Sequence, residues 1–231
     1  MSITDNIKVL RESIAEAAVK TGRQPEDISL VAVSKTHSAE KIRQAIETGV
    51  EAVGENRVQE MLQKHDTGAY QGAPLHFIGH LQSNKVNKVV GLCDLIESVS
   101  SKPLIEAIGK RATSLGICQN VLIEVNIGRE PQKSGILPEE ADEILAYASK
   151  TPGIKVIGLM TIPPIYEDAD ENYHFFDDMQ KLFIDMSAKK YDNVMMCYLS
   201  MGMSDSYFEA ILAGSNMVRI GSLIFGDRQI R

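Results

Sequence analysis

Apolar positions along this chain follow two alternating patterns. The first opens the sequence. Ile7, Leu10, Ile14, Ala17 and Ala18 recur at three- and four-residue spacing with Lys8, Arg11, Glu12 and Glu16 between them, predicting an amphipathic helix over 2–22 capped by Thr4 or Asp5. The second pattern is a short run apolar on both faces. Ile28, Leu30, Val31, Ala32 and Val33 read as a strand over 28–34 buried on both sides, and Lys35 closes it. The two patterns then alternate. Helix 38–48 precedes strand 52–54, helix 57–64 precedes strand 75–78, and helix 83–90 precedes strand 95–96. Helix 101–115 leads to strand 121–125, helix 138–150 to strand 156–160, helix 169–189 to strand 196–199, and helix 204–213 to the last strand, 217–220.

Eight strands with a helix between each consecutive pair imply a parallel α/β sheet closing into a (β/α)8 TIM-type barrel. Too little chain follows strand eight for a full outer helix, so the N-terminal helix is expected to close the outer ring. An open doubly wound sheet is the alternative. No linker, low-complexity segment or shift in composition divides the chain, and residues 1–231 read as one domain.

In such a barrel the C-terminal strand ends converge and carry the chemistry. Here they bring together Lys35, Asn56, His80, Ser98, Asn126, Thr161, Ser200 and Arg219. A lysine at a strand end can lose its charge in suitable surroundings and attack an aldehyde; the plain alternative is a lysine reaching from the strand end to water. His80 is either a ligand contact or a structural hydrogen-bonder. The strand ends show no acidic cluster for Mg²⁺ and no His/Cys set for Zn²⁺. Ser200-Met-Gly-Met-Ser204 and Arg219-Ile-Gly-Ser222 place glycine and hydroxyls at the last two strand ends, where barrels of this kind hold phosphate. Ordinary glycine turns are the alternative. A strand-one lysine together with a phosphate cradle points to a phosphorylated aldehyde, and pyridoxal 5′-phosphate (PLP) fits.

Charge and cysteine content narrow the setting. A net charge of −7 argues against nucleic acid and anionic membrane as partners. Cys93, Cys118 and Cys197 lie far apart and read as buried, reduced thiols. With no signal-peptide pattern and no membrane-length apolar run, a cytoplasmic protein is expected.

Several gap-free motifs then occur in order: Ser34-Lys35, Gly54-Glu-Asn-Arg-Val-Gln-Glu60, His76-Phe-Ile-Gly-His-Leu-Gln-Ser-Asn-Lys85, Lys133-Ser-Gly135, Gly158-Leu-Met160, Leu199-Ser-Met-Gly-Met-Ser204 and Val218-Arg-Ile-Gly221. Together they resemble the pyridoxal phosphate homeostasis protein family from about residue 5 to Gly226. The resemblance implies a barrel like the N-terminal domain of alanine racemase, the third PLP fold type, with PLP held as an internal aldimine on Lys35. It implies that Ser200 and the backbone around Gly221 and Ser222 hold the phosphate, that Asn56 lies near the ring, and that Arg219 meets the pyridine nitrogen or the phosphate. The expected cofactor-binding set is Lys35, Asn56, His80, Met160, Ser200, Gly202, Arg219, Gly221 and Ser222. Ser206, where the family usually has an acid, and Arg57, where an aromatic is common, are peripheral departures.

Three functions compete. The first is a non-catalytic PLP carrier acting in vitamin B6 homeostasis. It would be a monomer, with PLP-dependent apoenzymes or B6-pathway enzymes as its partners. The second is a fold-type-III enzyme such as an amino-acid racemase, which needs a second base from a separate β-domain. No such domain is expected within residues 1–231, and Tyr198, the one tyrosine inside a strand, should point into the packing. The third is a PLP-free Schiff-base aldolase, whose usual carboxylate or second-lysine partners are not evident. Lys133 is expected to be a solvated turn residue rather than a second contact lysine.

Overall fold

The structure is a computed structural model that describes residues 2–164 and 169–226, with the side chains of 169–172 excluded. The rest of the domain expected over 1–231 lies outside the described residues. Eight parallel strands close in sequence order: β1 (Ser29–Val33), β2 (Ala52–Glu55), β3 (Leu75–Phe77), β4 (Leu95–Val99), β5 (Gln119–Val125), β6 (Ile154–Thr161), β7 (Val194–Ser200) and β8 (Met217–Ile220). Closure is made by β1 and β8, with Ser29 opposite Met217 and Ala32 opposite Ile220. The helices are α1 (Ile3–Lys20), α2 (Ala39–Glu47), α3 (Val58–His65), α4 (Lys102–Ser114), α5 (Ala141–Ala148), α6 (Ala169–Ser187), α7 (Tyr207–Leu212) and the single turn α8 (Ser222–Phe225).

The gap left by so short a last helix is filled by α1, which packs on α2, α7 and α8 through Ile7, Leu10, Ile14, Ala17 and Ala18. Its cap lies earlier than the periodicity suggests. The Ser2 hydroxyl accepts from the Asp5 N–H at 3.1 Å, and the Asp5 carboxylate accepts from the Ser2 N–H at 3.1 Å. This reciprocal box satisfies two end groups at once, which a cap at Thr4 or Asp5 would not. Between β3 and β4 the expected helix is a 3-10 segment, Ser83–Lys88. Ser83, Asn84 and Asn87 are weak helix formers that compete for backbone hydrogen bonds. Helix α7 begins at Tyr207 rather than 204, because Met203–Ser206 form a turn in which the Ser206 hydroxyl accepts from the Met203 N–H.

Cysteine burial differs from expectation. Cys93 is buried, whereas Cys118 and Cys197 are exposed. Cys118 follows the Gly116 turn ahead of β5. Cys197 lies on β7, whose only Cα register partners with β8 are Ser200 and Met217. There the Asn216 amide bridges instead, donating to the Cys197 carbonyl and accepting from the Leu199 N–H, and alternate residues Met195 and Cys197 face outward.

Inside the barrel, side chains change character along the axis. Val31, Ala52, Leu95, Leu122, Met160 and Met217 form a dry layer. Two residues further along three of these strands, and so on the same face, come Glu97, Glu124 and Arg219. All three are buried. Where β6 meets β7 the register shifts, and Gly158, at φ +152°, lies so close that a Cβ would sit 1.9 Å from the Tyr198 carbonyl oxygen. Gly158→Ala is expected to force the strands apart and cost about 1–3 kcal/mol, read as a lower Tm. An unchanged Tm would show that the pair relaxes freely.

Candidate functional site

A cleft of about 860 Å³ opens at the C-terminal strand ends, above the buried charges. Six of the nine expected residues line it: Lys35 after β1, Asn56 after β2, His80 after β3, Arg219 on β8, and Gly221 and Ser222 at the turn into α8. Gly221 lets the chain pass close to β1, since a Cβ there would approach the Val33 carbonyl oxygen to 3.3 Å. Asn56 presents a buried Oδ1 that has no hydrogen-bond partner.

The other three lie deeper. Met160 belongs to the dry layer. Ser200 is fully buried behind Arg219, accepting from its Nη1 at 2.5 Å and donating to Glu97 Oε2 at 2.6 Å. Gly202, at φ +95°, has no room for a Cβ beside the Ala210 Cβ at 2.6 Å, and its carbonyl accepts from the Arg219 N–H at 3.1 Å. Ser200 and Gly202 therefore set the position of Arg219. Among the remaining strand-end residues, Ser98 donates to the Gly79 carbonyl and Thr161 to the Val125 carbonyl. Asn126 ties the loop after β5 by bonding both backbone groups of Glu130.

An ionic network lies under the cleft that the strand-end residues did not disclose. The Arg219 Nη2 donates to the Thr161 carbonyl at 2.9 Å, and Nη1 lies 3.9 Å from Glu97 Oε2. The other Glu97 oxygen meets His76 Nδ1 at 2.7 Å. Burial alone would push the Glu97 carboxyl up. The hydrogen bond and charge of His76, with Arg219 and Ser200, outweigh it and hold the group below the ordinary carboxylate range. Burial lowers the Arg219 guanidinium from its usual value, with Glu97 and Glu124 opposing. Glu124, whose Oε2 is buried without a partner, lines the cleft and is pushed up to about 7 by burial, with Arg219 holding it back.

Lys133 stands in a turn, its N–H donating to the Glu130 carbonyl at 3.0 Å, and its partly exposed side chain also lines the cleft. Its ammonium pairs with Glu130 and donates to the Pro163 carbonyl at 3.2 Å. Next to it, the Ser134 hydroxyl meets His80 Nδ1 at 2.9 Å, joining the loops after β5 and β3. No group of three or more His, Cys, Asp or Glu that could hold a metal occurs among the described residues. None of the described helices is long and apolar enough to cross a membrane.

A closed parallel barrel with a strand-one lysine and a strand-eight arginine at its mouth defines a class, and sequence comparison agrees. The family model described as alanine racemase, N-terminal domain, matches residues 2–229. A pyridoxal phosphate homeostasis protein of Aquifex aeolicus is 40% identical over 229 residues, covering 99% of this chain and 100% of that protein. One from Escherichia coli is 37% identical over 230 residues, covering 98% and 97%. The structure of Synechococcus elongatus PipY with PLP bound superposes with a TM-score of 0.84 at 30% identity, covering 97% of this chain and 100% of that one. The chain belongs to the alanine racemase N-terminal domain family and, within it, to the pyridoxal phosphate homeostasis proteins.

Proposed function

We propose that this protein binds PLP in the cleft, carries it on Lys35, and serves intracellular PLP homeostasis without catalysing a reaction. The observation that carries this reading is the donor set: a strand-end lysine shares one cleft with a buried guanidinium and a glycine–serine turn. These groups fit a phosphorylated aldehyde. Asn56 Oδ1 is a buried acceptor still lacking a donor, as a ring hydroxyl would supply. PLP, when bound, supplies an aldehyde whose carbon joins a primary amine through C=N with loss of one water.

The protein's own part is to place groups around that aldehyde. Lys35 Nζ is the amine. Ser222 and the backbone at Gly221 face the cleft as phosphate donors, with Ser204 beside them. His80 is steadied by Ser134, and Arg219 reaches the cleft floor with its fork held by Ser200 and Thr161. A guanidinium keeps its proton at neutral pH, so a pyridine nitrogen meeting it stays neutral and the ring is a weak electron sink. That suits carriage. In this reading the domain spans 1–231, the protein works as a monomer in the cytoplasm, and its partners are PLP-dependent apoenzymes or enzymes of B6 metabolism.

A second reading, weak PLP-dependent proton transfer of the racemase type, draws on Glu124, a carboxyl in the cleft that titrates near neutrality. Tyr198 speaks against racemisation, since it packs on the dry layer below. One experiment addresses both readings. Protein mixed with PLP is expected to turn yellow, to bleach with borohydride, and to carry the fixed cofactor on Lys35; Lys35→Ala should lose the band. A colourless protein that no PLP can load would overturn the proposal. Turnover of L- or D-amino acids at ~1 s⁻¹ or faster would favour the enzyme.

A further inference from the structure

We propose that Lys64, bridging Glu55 and Glu60 on the outer side of the barrel, is the positioning residue for Lys35, clamping the peptide groups on either side of it. The proposal rests on the reading that Lys35 is the cofactor lysine. The Lys64 ammonium makes three close polar contacts. It donates to the Ser34 carbonyl at 2.7 Å and to Glu55 Oε1 at 2.6 Å, and it forms an ion pair with Glu60 Oε1 at 2.7 Å. Glu60 Oε1 in turn accepts from the Thr36 N–H. The carbonyl before Lys35 and the amide after it are thus tied to one ion-paired cluster.

The remaining bonds make that cluster rigid. Glu55 is fully buried, and its Oε1 also accepts from the Ser34 hydroxyl at 2.6 Å and the Tyr70 hydroxyl at 3.1 Å. The Ser34 N–H donates to the Gly54 carbonyl at 3.0 Å. Thr36 sits at φ +68°, a left-handed conformation that a threonine holds only when its surroundings impose it. Buried ion pairs are weak devices for stability, because desolvation offsets most of their attraction. What this cluster does achieve is a fixed backbone at Lys35, and so a fixed origin for its side chain. A reacting group displaced by about 1 Å can lose up to about 10²-fold in effectiveness.

The test uses the full chain and PLP itself. Each variant is mixed with limiting PLP, reduced with borohydride, and the fraction fixed on Lys35 is read by mass spectrometry, beside the Tm of the cofactor-free protein. Lys64→Met and Glu60→Ala are expected to lower the fixed fraction about tenfold. Glu60→Gln loses the same charge as Glu60→Ala but keeps an oxygen for Thr36 and Lys64, so it should stay within about twofold of the parent. A merely structural role would lower Tm and leave the fixed fraction of folded protein unchanged; that result overturns the proposal. Equal losses in Glu60→Gln and Glu60→Ala overturn it too, since charge alone would then act. Should Lys64→Met not fold, the Glu60 pair decides. Parent protein that fixes no PLP on Lys35 would defeat the underlying reading instead, and is seen in the same experiment.

Discussion

Replacing Arg219 with methionine is expected to cost about 3–5 kcal/mol of folding stability at pH 7, because it takes one of its partner cations from a carboxylate buried inside the barrel. Glu97 is fully buried and held ionised by His76, Arg219 and Ser200 together. Methionine matches the stem of arginine but brings no charge and no donor. It removes the cation 3.9 Å from Glu97 Oε2, the donor to Ser200 and the donor to the Thr161 carbonyl in one step. Three polar groups lose a partner where water has little access. Urea denaturation of the cofactor-free protein measures the loss. Adding Glu97→Gln to the Arg219→Met background should recover part of it, because the uncompensated charge is then gone. A loss below about 1 kcal/mol in the single variant would mean that water enters the barrel and solvates Glu97, and that Arg219 is not structurally required. Arg219→Lys should lose less than Arg219→Met, since an ammonium keeps a cation for Glu97 but lacks the planar fork that spans Ser200 and Thr161.

The barrel itself was legible in the sequence because closure follows from counting. Eight doubly apolar runs separated by helical periodicity leave few topologies, and an amphipathic helix ahead of β1 is placed to cover the flank where β1 meets β8. Lys35 was legible for a similar reason: a lone charge ending a run of five apolar residues must lie at the rim. The ionic layer was not. Strand-end position alone points to the last polar residue of these runs, Ser98 and Asn126, and not to Glu97 and Glu124. Yet Leu95 and Glu97, or Leu122 and Glu124, are two apart and share a face, so the pattern of an apolar residue followed by an acid was present at both inward positions. Depth was harder to read. Ser200 and Met160 stand at strand ends but below the cleft floor, because strand stagger in a closed barrel places equivalent positions at different heights. The Lys64 clamp was out of reach for spacing arguments, because it depends on α3 folding back over the loop that leaves β1.

Glu124→Gln is expected to stabilise the protein by up to about 3 kcal/mol above pH 7, and by almost nothing near pH 4.5. The sign follows from linkage. Glu124 is pushed up from the ordinary 4.5 to about 7 in the folded protein, mainly by burial. Below pH 4.5 the carboxyl is protonated in both folded and unfolded chains and contributes no pH dependence. Between 4.5 and 7 the unfolded chain gives up this proton while the folded one keeps it, so stability falls by about 1.4 kcal/mol for each pH unit. Above 7 both forms are ionised and the penalty stays constant. Glutamine keeps the shape and removes the titration. The difference in unfolding free energy between parent and variant should therefore rise from pH 4.5 to 7 and then level off, with all other titrating groups cancelling in the subtraction. A difference that is flat with pH would show that the buried Oε2 is solvated from the cleft and that Glu124 behaves as an ordinary surface acid. The size of the penalty is itself informative about the site. A cavity-lining acid that weakens the fold at neutral pH and has an oxygen without a partner is poorly explained as a structural element. Its neutral form can donate a hydrogen bond, so an anionic ligand in the cleft would favour the protonated state, and PLP binding to the parent should weaken as pH rises through 7 more steeply than binding to Glu124→Gln.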